Sequence, residues 1–302
     1  MYIIPQGTKI DFLKQCKYAY FISFVAIAYS IYIFFSLGDS KYGIDFSGGH
    51  EIVVRATENQ NSDILREALR SGGVDNAIVQ AFDTNNEYSI RLGLERGDSK
   101  TVREKVEEVF REFVPDPVSI IKTDYVGPTV GAELKRNATL ALIFGLIGML
   151  IYIGYRFEFS FALGAVAALF HDTIIGFGVF LLCGYDLSMG AVAAALTIIG
   201  YSVNDTIVIF DRVREEVLKK KEYDLKEVIN ESLNFTLDRT VVTHILTMFS
   251  ALALLFLGGG SIADLSVFLV VGIFAGAYST MYVASPVALA WENFRAKRES
   301  KK

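Results

Sequence analysis

Residues 200–206 read GYSVNDT and set a carboxylic acid, Asp205, inside an otherwise apolar run that covers residues 187–210. A charged side chain is costly within a bilayer, so an ionisable residue inside an apolar span indicates a function. The adjacent residues His171 and Asp172 lie in the same way near the middle of the preceding apolar run, residues 159–182. These two stretches predict a membrane protein that uses polar groups inside the bilayer.

The apolar residues of the whole chain are gathered into runs of this kind. Of the 302 residues, 52% are hydrophobic, which is too many for a soluble protein of this length unless they lie in membrane spans. A helix needs about 20 apolar residues to cross roughly 30 Å of hydrocarbon. The runs that approach this length are residues 18–37, 138–155, 159–182, 187–210, 241–257 and 265–291. The sequence therefore predicts an α-helical polytopic membrane protein with six transmembrane helices.

Lysine and arginine are distributed unevenly among the segments that join these runs. They occur in residues 1–17, 156–158, 211–240 and 292–302, whereas the turns at 183–186 and 258–264 contain none. Cytosolic segments of membrane proteins are enriched in Lys and Arg. The alternation therefore predicts that both termini are cytosolic.

Residues 38–135, between the first and second runs, form a polar segment long enough for a small folded domain. Alternating apolar and polar residues predict strands and amphipathic helices in the order β-α-β-β-α-β. In chain order these are residues 42–55, 62–71, 77–82, 88–94, 99–113 and 118–125, with a turn at 83–87. The order is typical of an α+β ferredoxin-like domain, and the topology predicts that this domain is extracytosolic.

The predicted organisation has four parts. They are a cytosolic leader with the first helix (1–37), the extracytosolic domain (38–135), helices 2 to 6 with a cytosolic loop at 211–240 (136–291), and a cytosolic tail (292–302). Between residues 211 and 238 the apolar side chains are spaced for an amphipathic interfacial helix, and a solvated linker is the alternative.

The residue types of the extracytosolic domain limit its function. It has eighteen Asp or Glu from Asp39 to Glu133 against eleven Lys or Arg from Lys41 to Lys122, which argues against nucleic acid as a ligand. It contains no cysteine and no carboxylates at metal-binding spacing, so neither a metal nor a cofactor is expected. We interpret the domain as a binding or mechanical module, with a purely structural cap as the alternative.

Polar residues in the fourth and fifth predicted helices repeat every four positions, which aligns them on one helical face. They are Thr197, Tyr201 and Asp205, then Arg239, Thr243 and Thr247, with His244 beside the second set. Burial favours the protonated form of a carboxylate, and a nearby cation favours the ionised form. Because the two helices run antiparallel, we expect Arg239 to be the cation near Asp205. A carboxylate under both influences can bind and release a proton.

His171 and Asp172 are predicted to lie deeper in the membrane than Asp205. Adjacent residues of a helix point about 100° apart, so we expect these two side chains not to bond each other and to need partners from other helices. A structural hydrogen-bond network and a proton relay are both compatible with the pattern.

Several longer motifs occur along the chain, at residues 43–49 (GIDFSGG), 126–134 (VGPTVGAEL), 171–172 (HD), 200–215 (GYSVNDTIVIFDRVRE), 239–240 (RT) and 284–286 (ASP). Together they resemble those of the SecD/SecF family of protein-export membrane proteins, within the resistance–nodulation–division superfamily. The motifs keep the order and six-span layout of the family over nearly the whole chain.

The resemblance implies a function in protein export across the inner membrane of a bacterium. It implies an accessory subunit, not an enzyme, that acts with SecD at the SecYEG translocon and uses the proton-motive force to help pull preproteins out of the membrane. The implied partners are SecD, SecYEG, translocating preproteins and membrane lipid. The residues matched to proton passage are Asp205 and Arg239, and the predicted pathway adds Asn204, Tyr201, His171, Asp172, Thr243 and Thr247.

The resemblance also assigns a coupling region between the membrane helices and the extracytosolic domain. Its residues are Asp45, Gly48 and Gly49 after the first span, and Gly127 and Pro128 before the second. We expect this region to transmit movement of the helices to the domain.

Two other functions are compatible with parts of the pattern. The first is a proton-coupled small-molecule efflux transporter of the same superfamily, although such pumps generally carry two membrane halves in one chain. The second is an intramembrane aspartyl protease built on Asp172 and Asp205. That chemistry needs two adjacent carboxylates that share a proton, whereas these two are predicted at different depths.

Overall fold

The computed structural model describes residues 5, 8–57, 61–74, 77–82, 86–93, 98–220, 222–258 and 260–300. Within these residues, six helices are long and apolar enough to cross a membrane. Their bounds are Leu13–Ser36, Pro128–Arg156, Phe159–Leu182, Met189–Lys219, Leu225–Leu257 and Asp264–Glu299. The described residues therefore contain the predicted six helices that are long and apolar enough to cross a membrane.

Helices are numbered in chain order over the whole chain, and α2, α3 and α4 lie in the small domain described below. The other helices form the membrane bundle. They are α1 (Cys16–Ser36), α5 (Pro128–Arg156), α6 (Phe159–Leu182), α7 (Met189–Lys219), α8 (Leu225–Leu257), α9 (Gly260–Ser279) and α10 (Ser285–Glu299). A π-helical turn, Thr280–Ala284, joins α9 to α10 within the sixth span. Turns of this kind are rare inside helices and occur frequently at functional sites.

Between α1 and α5 the chain forms a small α+β domain. Its elements are α2 (Ile44–Ser47), β1 (Gly49–Ala56), α3 (Ser62–Ser71), β2 (Ile78–Phe82), β3 (Glu87–Leu92), α4 (Ser99–Phe113) and β4 (Val118–Val126). The strands form one antiparallel sheet in the order β2-β3-β1-β4. The predicted order of strands and amphipathic helices is therefore observed, and the predicted turn at 83–87 falls largely outside the described residues.

Alternation along the strands divides the sheet into two faces. Ile52, Val54 and Ile90 are buried on one face against Leu65 of α3 and Val106 of α4. Successive side chains of a strand point to opposite faces of the sheet. The polar residues that alternate with these apolar ones in β1 and β3 therefore line the other face. That polar face borders the cavity beside the helix bundle.

The first predicted strand is shorter than its pattern suggests. Residues 44–47 form the short helix α2, in which the Ser47 hydroxyl donates to the carbonyl of Gly43 at 3.0 Å. Gly48 follows with a φ of 72°, a left-handed conformation that glycine adopts at little cost. β1 therefore begins only at Gly49.

The predicted interfacial helix or linker at residues 211–238 is wrong. α7 continues to Lys219 and α8 already begins at Leu225, so two long helices project beyond the apolar runs. Val228, Ile229 and Leu233 are buried in the same core as Phe210 and Val213. These apolar residues pack between helices, not on a membrane surface, which is why the helices extend.

Small residues allow the helices of the bundle to approach closely. A Cβ added at Gly276 of α9 would lie 3.2 Å from the side chain of Ser202 on α7. One added at Gly164 of α6 would collide with the carbonyl oxygen of Ala284 in the π-helical turn. Close packing of small residues is a common means of helix association in membranes, and it brings the polar residues of α6, α7 and α9 together.

Candidate functional site

Asp205 lies in the middle of α7 and is only 7% exposed. Its carboxylate faces α8, where Oδ2 lies 3.1 Å from Nδ1 of His244. The same Nδ1 lies 2.8 Å from the carbonyl oxygen of Thr240. A carbonyl oxygen can only accept a hydrogen bond, so Nδ1 carries the proton and donates the hydrogen bond to Thr240. The contact between Nδ1 and Asp205 is then electrostatic and not a hydrogen bond.

Two buried atoms of this pair are free to accept a proton. Across the described residues, Asp205 Oδ2 and His244 Nε2 are buried and have no hydrogen-bond partner. Unsatisfied buried polar atoms are uncommon in native proteins and call for an explanation. A carboxylate oxygen and an imidazole nitrogen can each accept a proton, so the pair can exist in more than one protonation state.

The rest of the polar face joins α7 to α8 as the four-residue spacing predicts. The Tyr201 hydroxyl donates to Oγ1 of Thr247 at 3.1 Å, and the Tyr201 ring packs edge-on against His244 at 5.4 Å. Thr243 and Thr247 donate their hydroxyl protons to carbonyls of their own helix. The hydroxyl oxygens therefore form a polar lining along the α7–α8 contact.

The structure gives Asp205 a different close partner from the one expected. Arg239 is exposed and, in the part of the chain that the structure describes, forms no ion pair with Asp205, although its charge acts on the carboxylate at longer range. His244 makes the close contact instead. Spacing predicts which side chains share a helical face, but only the packing of α7 on α8 decides which of them meet. Asn204, beside Asp205, is exposed in the isolated chain.

His171 and Asp172 bond each other, so the expectation that they do not is wrong. Nδ1 of His171 lies 2.9 Å from Oδ1 of Asp172, and the two residues are 3% and 2% exposed. Their Cα–Cβ bonds diverge on the helix, but both side chains are long enough to turn towards each other. The predicted partners from other helices are also present, namely Ser23 on α1, Ser202 on α7 and Ser279 on α9.

The two buried aspartates belong to separate networks. Asp172 Oδ2 accepts hydrogen bonds from Ser202 and Ser279, whereas Asp205 faces α8 and His244. No contact joins the two carboxylates among the described residues. An aspartyl protease needs its two carboxylates side by side, so the geometry does not support that function.

The predicted coupling residues lie where the small domain meets the bundle. Asp45 Oδ2 accepts a hydrogen bond from the backbone N–H of Met189 at 2.8 Å, which caps the first turn of α7. A Cβ at Gly49 would collide with the carbonyl oxygen of Leu92, so β1 can approach β3 only with glycine there. Gly127 precedes α5 and Pro128 is its first residue, so β4 leads directly into a membrane helix.

A second link between the domain and the bundle was not predicted from the sequence. Arg91 of β3 forms an ion pair at 2.5 Å with Asp186, in the turn between α6 and α7. In the same region the Gly43 N–H donates to the carbonyl of Leu187 at 2.9 Å, and the Leu187 N–H donates to the carbonyl of Lys41 at 2.8 Å. Neither residue of the ion pair lies in an apolar span, and the strand assignment alone could not show which loop β3 faces.

The ion pair borders a cavity of about 520 Å³ between the sheet and the end of the bundle. Its acidic lining includes Asp45, Glu51, Asp124 and Asp186. Burial raises the pKa of Asp186 to about 6, against the opposing effect of the Arg91 guanidinium. In the described part of the chain, no group of three or more His, Cys, Asp or Glu side chains is arranged to hold a metal ion.

Comparison with known proteins identifies relatives over almost the whole chain. The family model for the C-terminal region of the protein export membrane protein SecD/SecF matches residues 105–294. A protein translocase subunit SecF of Calditerrivibrio nitroreducens is 37% identical over 98% of this chain and 98% of its own length. A protein of the same name from Rickettsia bellii is 35% identical over 96% of each chain.

Solved structures are similar in fold as well as sequence. The crystal structure of SecDF, a translocon-associated membrane protein from Thermus thermophilus, superposes with a TM-score of 0.86 at 34% identity, covering 97% of this chain and 40% of that one. A crystal structure of SecDF in the super-membrane-facing form gives a TM-score of 0.72 at 34% identity, covering all of this chain and 41% of that one. This chain thus spans about two fifths of the length of the SecDF chains.

Proposed function

Because this chain belongs to the SecD/SecF family of protein-export membrane proteins, we propose that it is a subunit of the Sec protein translocase that couples proton flow to late-stage preprotein export together with SecD. The observation that carries the proposal is the buried Asp205–His244 pair with its unpaired proton-accepting atoms. The chain is a multi-pass membrane protein, and its relatives are named as translocase subunits.

Asp205 and His244 form the proton-binding site of the proposed mechanism. A proton on Asp205 removes a buried negative charge, and its loss restores attraction to His244 and to the more distant Arg239. Moving one charge through 100 mV corresponds to about 2.3 kcal/mol, which is enough to change the packing of two helices that meet at this pair. The hydroxyl groups of Tyr201, Thr243 and Thr247 line the proposed path beside it.

The exposed residues next to this site support a partner on that face. Arg239 and Asn204 are polar and exposed, although each lies in one of the six spans or at its end. Polar side chains in a membrane helix need a partner helix or water. In the proposal SecD covers this face, and the proton passes between the two membrane halves. His171 and Asp172 form a second buried pair, and the contact of Asp172 with Ser202 connects this pair to α7, the helix that carries Asp205.

The coupling residues connect the proton site to the small domain. Asp45 holds the first turn of α7, the helix that carries Asp205, and Arg91 holds the turn before it through Asp186. A shift of α7 therefore moves the attachment of the domain. We assign the domain a ferredoxin-like fold on the extracytosolic side, with both termini in the cytosol, where it can act on a preprotein that emerges from SecYEG.

The proposal is tested by preprotein export into vesicles that contain SecYEG, SecD and this chain. With the wild-type chain, an imposed proton-motive force speeds export. Asp205→Asn is expected to reduce the rate to that measured without the force, because an amide cannot carry the proton. Glu215→Gln removes an exposed carboxylate from the same helix and is expected to behave like the wild type.

Unchanged stimulation in Asp205→Asn would exclude the proposed mechanism. A strain that lacks this protein distinguishes the efflux alternative from the proposed function. Drug hypersensitivity without an export defect would favour a small-molecule pump, whereas accumulation of unexported preproteins without hypersensitivity supports the proposal.

A further inference from the structure

The His171–Asp172 pair is enclosed by side chains from three other helices. His171 Nε2 lies 3.1 Å from the hydroxyl of Ser23 on α1, and its ring stacks on Tyr278 of α9 at 5.7 Å. Asp172 Oδ2 contacts Ser202 of α7 at 2.5 Å and Ser279 of α9 at 2.7 Å. Of these surrounding groups, only the phenol of Tyr278 is titratable.

The directions of the hydrogen bonds determine the protons on His171. The Tyr278 hydroxyl lies 2.7 Å from the carbonyl oxygen of Ala19, which can only accept, so Tyr278 donates there. A hydroxyl has one proton. The 3.1 Å contact between Ser23 and Tyr278 is therefore donated by Ser23. Since the proton of Ser23 is then used, Nε2 of His171 must donate to Ser23.

The contacts on the other side of the His171 ring indicate that Nδ1 also carries a proton. Two hydroxyl groups donate to Asp172 Oδ2 at 2.5 and 2.7 Å, and for Ser279 this contact is shorter than its 3.2 Å contact with the carbonyl of Gly276. Distances of about 2.5–2.7 Å are typical of O–H···O⁻ bonds to an ionised carboxylate. An ionised Asp172 can only accept, so Nδ1 of His171 donates across the 2.9 Å contact.

We propose that His171 is a buried imidazolium that forms a neutral ion pair with the carboxylate of Asp172, and that this pair is a positioning joint for α1, α6, α7 and α9. The role of the joint rests on the proposed function, but its protonation does not. The charged carboxylate holds Ser202, which lies on α7 close to Asp205, and Ser279, which directly precedes the π-helical turn. The aromatic face of Tyr278 adds attraction for a cation within about 6 Å.

The chain has three histidines, His50, His171 and His244, which makes the proposal directly measurable. Nitrogen NMR of the full chain, labelled with ¹⁵N-histidine in lipid bilayers, distinguishes ring nitrogens that carry a proton from bare ones. His50→Gln and His244→Gln assign the signals. We expect both nitrogens of His171 to carry a proton. A bare ring nitrogen on His171 would overturn the proposal.

Two variants separate the ion pair from simple packing. Asp172→Asn removes the negative charge but keeps the size, so His171 is expected to lose one ring proton. Ser279→Ala removes one donor to Oδ2 and leaves the pair, so both ring protons should remain. If His171 keeps both protons in Asp172→Asn, the carboxylate does not hold the imidazolium and the proposal fails. These readouts use the chain alone, so their failure is distinguishable from failure of the export mechanism.

Discussion

Asp172 and Asp205 lie in consecutive helices of one bundle and have different surroundings. Asp172 receives contacts on both carboxylate oxygens from His171, Ser202 and Ser279. Asp205 Oδ2 faces only His244 and lacks a hydrogen-bond partner among the described residues. A fully satisfied carboxylate is held in one state, whereas an unsatisfied one can change protonation with little loss of hydrogen bonding. This difference is why we assign proton exchange to Asp205.

The presence of these polar residues could be predicted from sequence, but their contacts could not. Hydropathy makes Asp205 and His171 conspicuous, and four-residue spacing identifies the polar faces of α7 and α8. Whether Asp205 meets His244 or Arg239 depends on the rotation and depth of two packed helices. The bond within the His171–Asp172 pair depends on side-chain torsions that spacing does not describe.

Asp186 gives a pH-dependent prediction at the scale of one residue. Burial raises its pKa from 3.8 to about 6 in the folded protein, so the folded chain binds a proton there more tightly than the unfolded chain. Its contribution to stability should therefore fall as the pH rises from about 4 to about 6 and then stay constant. The size of the fall is about 1–3 kcal/mol.

Asp186→Asn cannot ionise and should lack this dependence. The measurement is the free energy of unfolding in detergent at pH 4.5 and pH 7 for both proteins. The difference, wild type minus variant, is expected to be smaller at pH 7. A difference that is the same at both pH values would show that the Asp186 carboxyl is not buried as described.

At the scale of the elements, close packing of α6 on the π-helical turn predicts a selective effect of adding one methyl group. Gly164→Ala would push a Cβ into the carbonyl oxygen of Ala284 and towards Ala288. We expect a loss of about 1–3 kcal/mol in the free energy of unfolding. Gly148→Ala on α5 is the control, because its Cβ would meet no atom within 4 Å. Equal stability of the two variants would contradict the packing.

The cores of the helices follow from sequence more closely than their ends. The third predicted span, 159–182, coincides with α6, since a proline-free apolar run between two short turns leaves little choice. α7 and α8 extend well beyond their apolar runs because Val228, Ile229 and Leu233 pack against residues of α7 that hydropathy treats as cytosolic. The π-helical turn has no comparable signal in the sequence.

At the scale of the whole molecule, the proposed orientation predicts which cysteines a water-soluble reagent can reach from each side of the membrane. Cys183 is exposed in the turn after α6 and Cys16 is buried. A membrane-impermeant maleimide should label Cys183 from the extracytosolic side. Ser300→Cys, in the exposed tail, should react only in inverted vesicles. Labelling of both positions from the same side would contradict cytosolic termini and an extracytosolic domain.

The arrangement of a proton site, a linked helix and an attached domain accounts for coupling only if Asp205 carries the proton. The most direct test is proton uptake, followed with a pH-sensitive dye, into vesicles that contain this chain with SecD under an imposed membrane potential. We expect uptake with the wild type and with Glu215→Gln, and only background uptake with Asp205→Asn. Undiminished uptake with Asp205→Asn would contradict it.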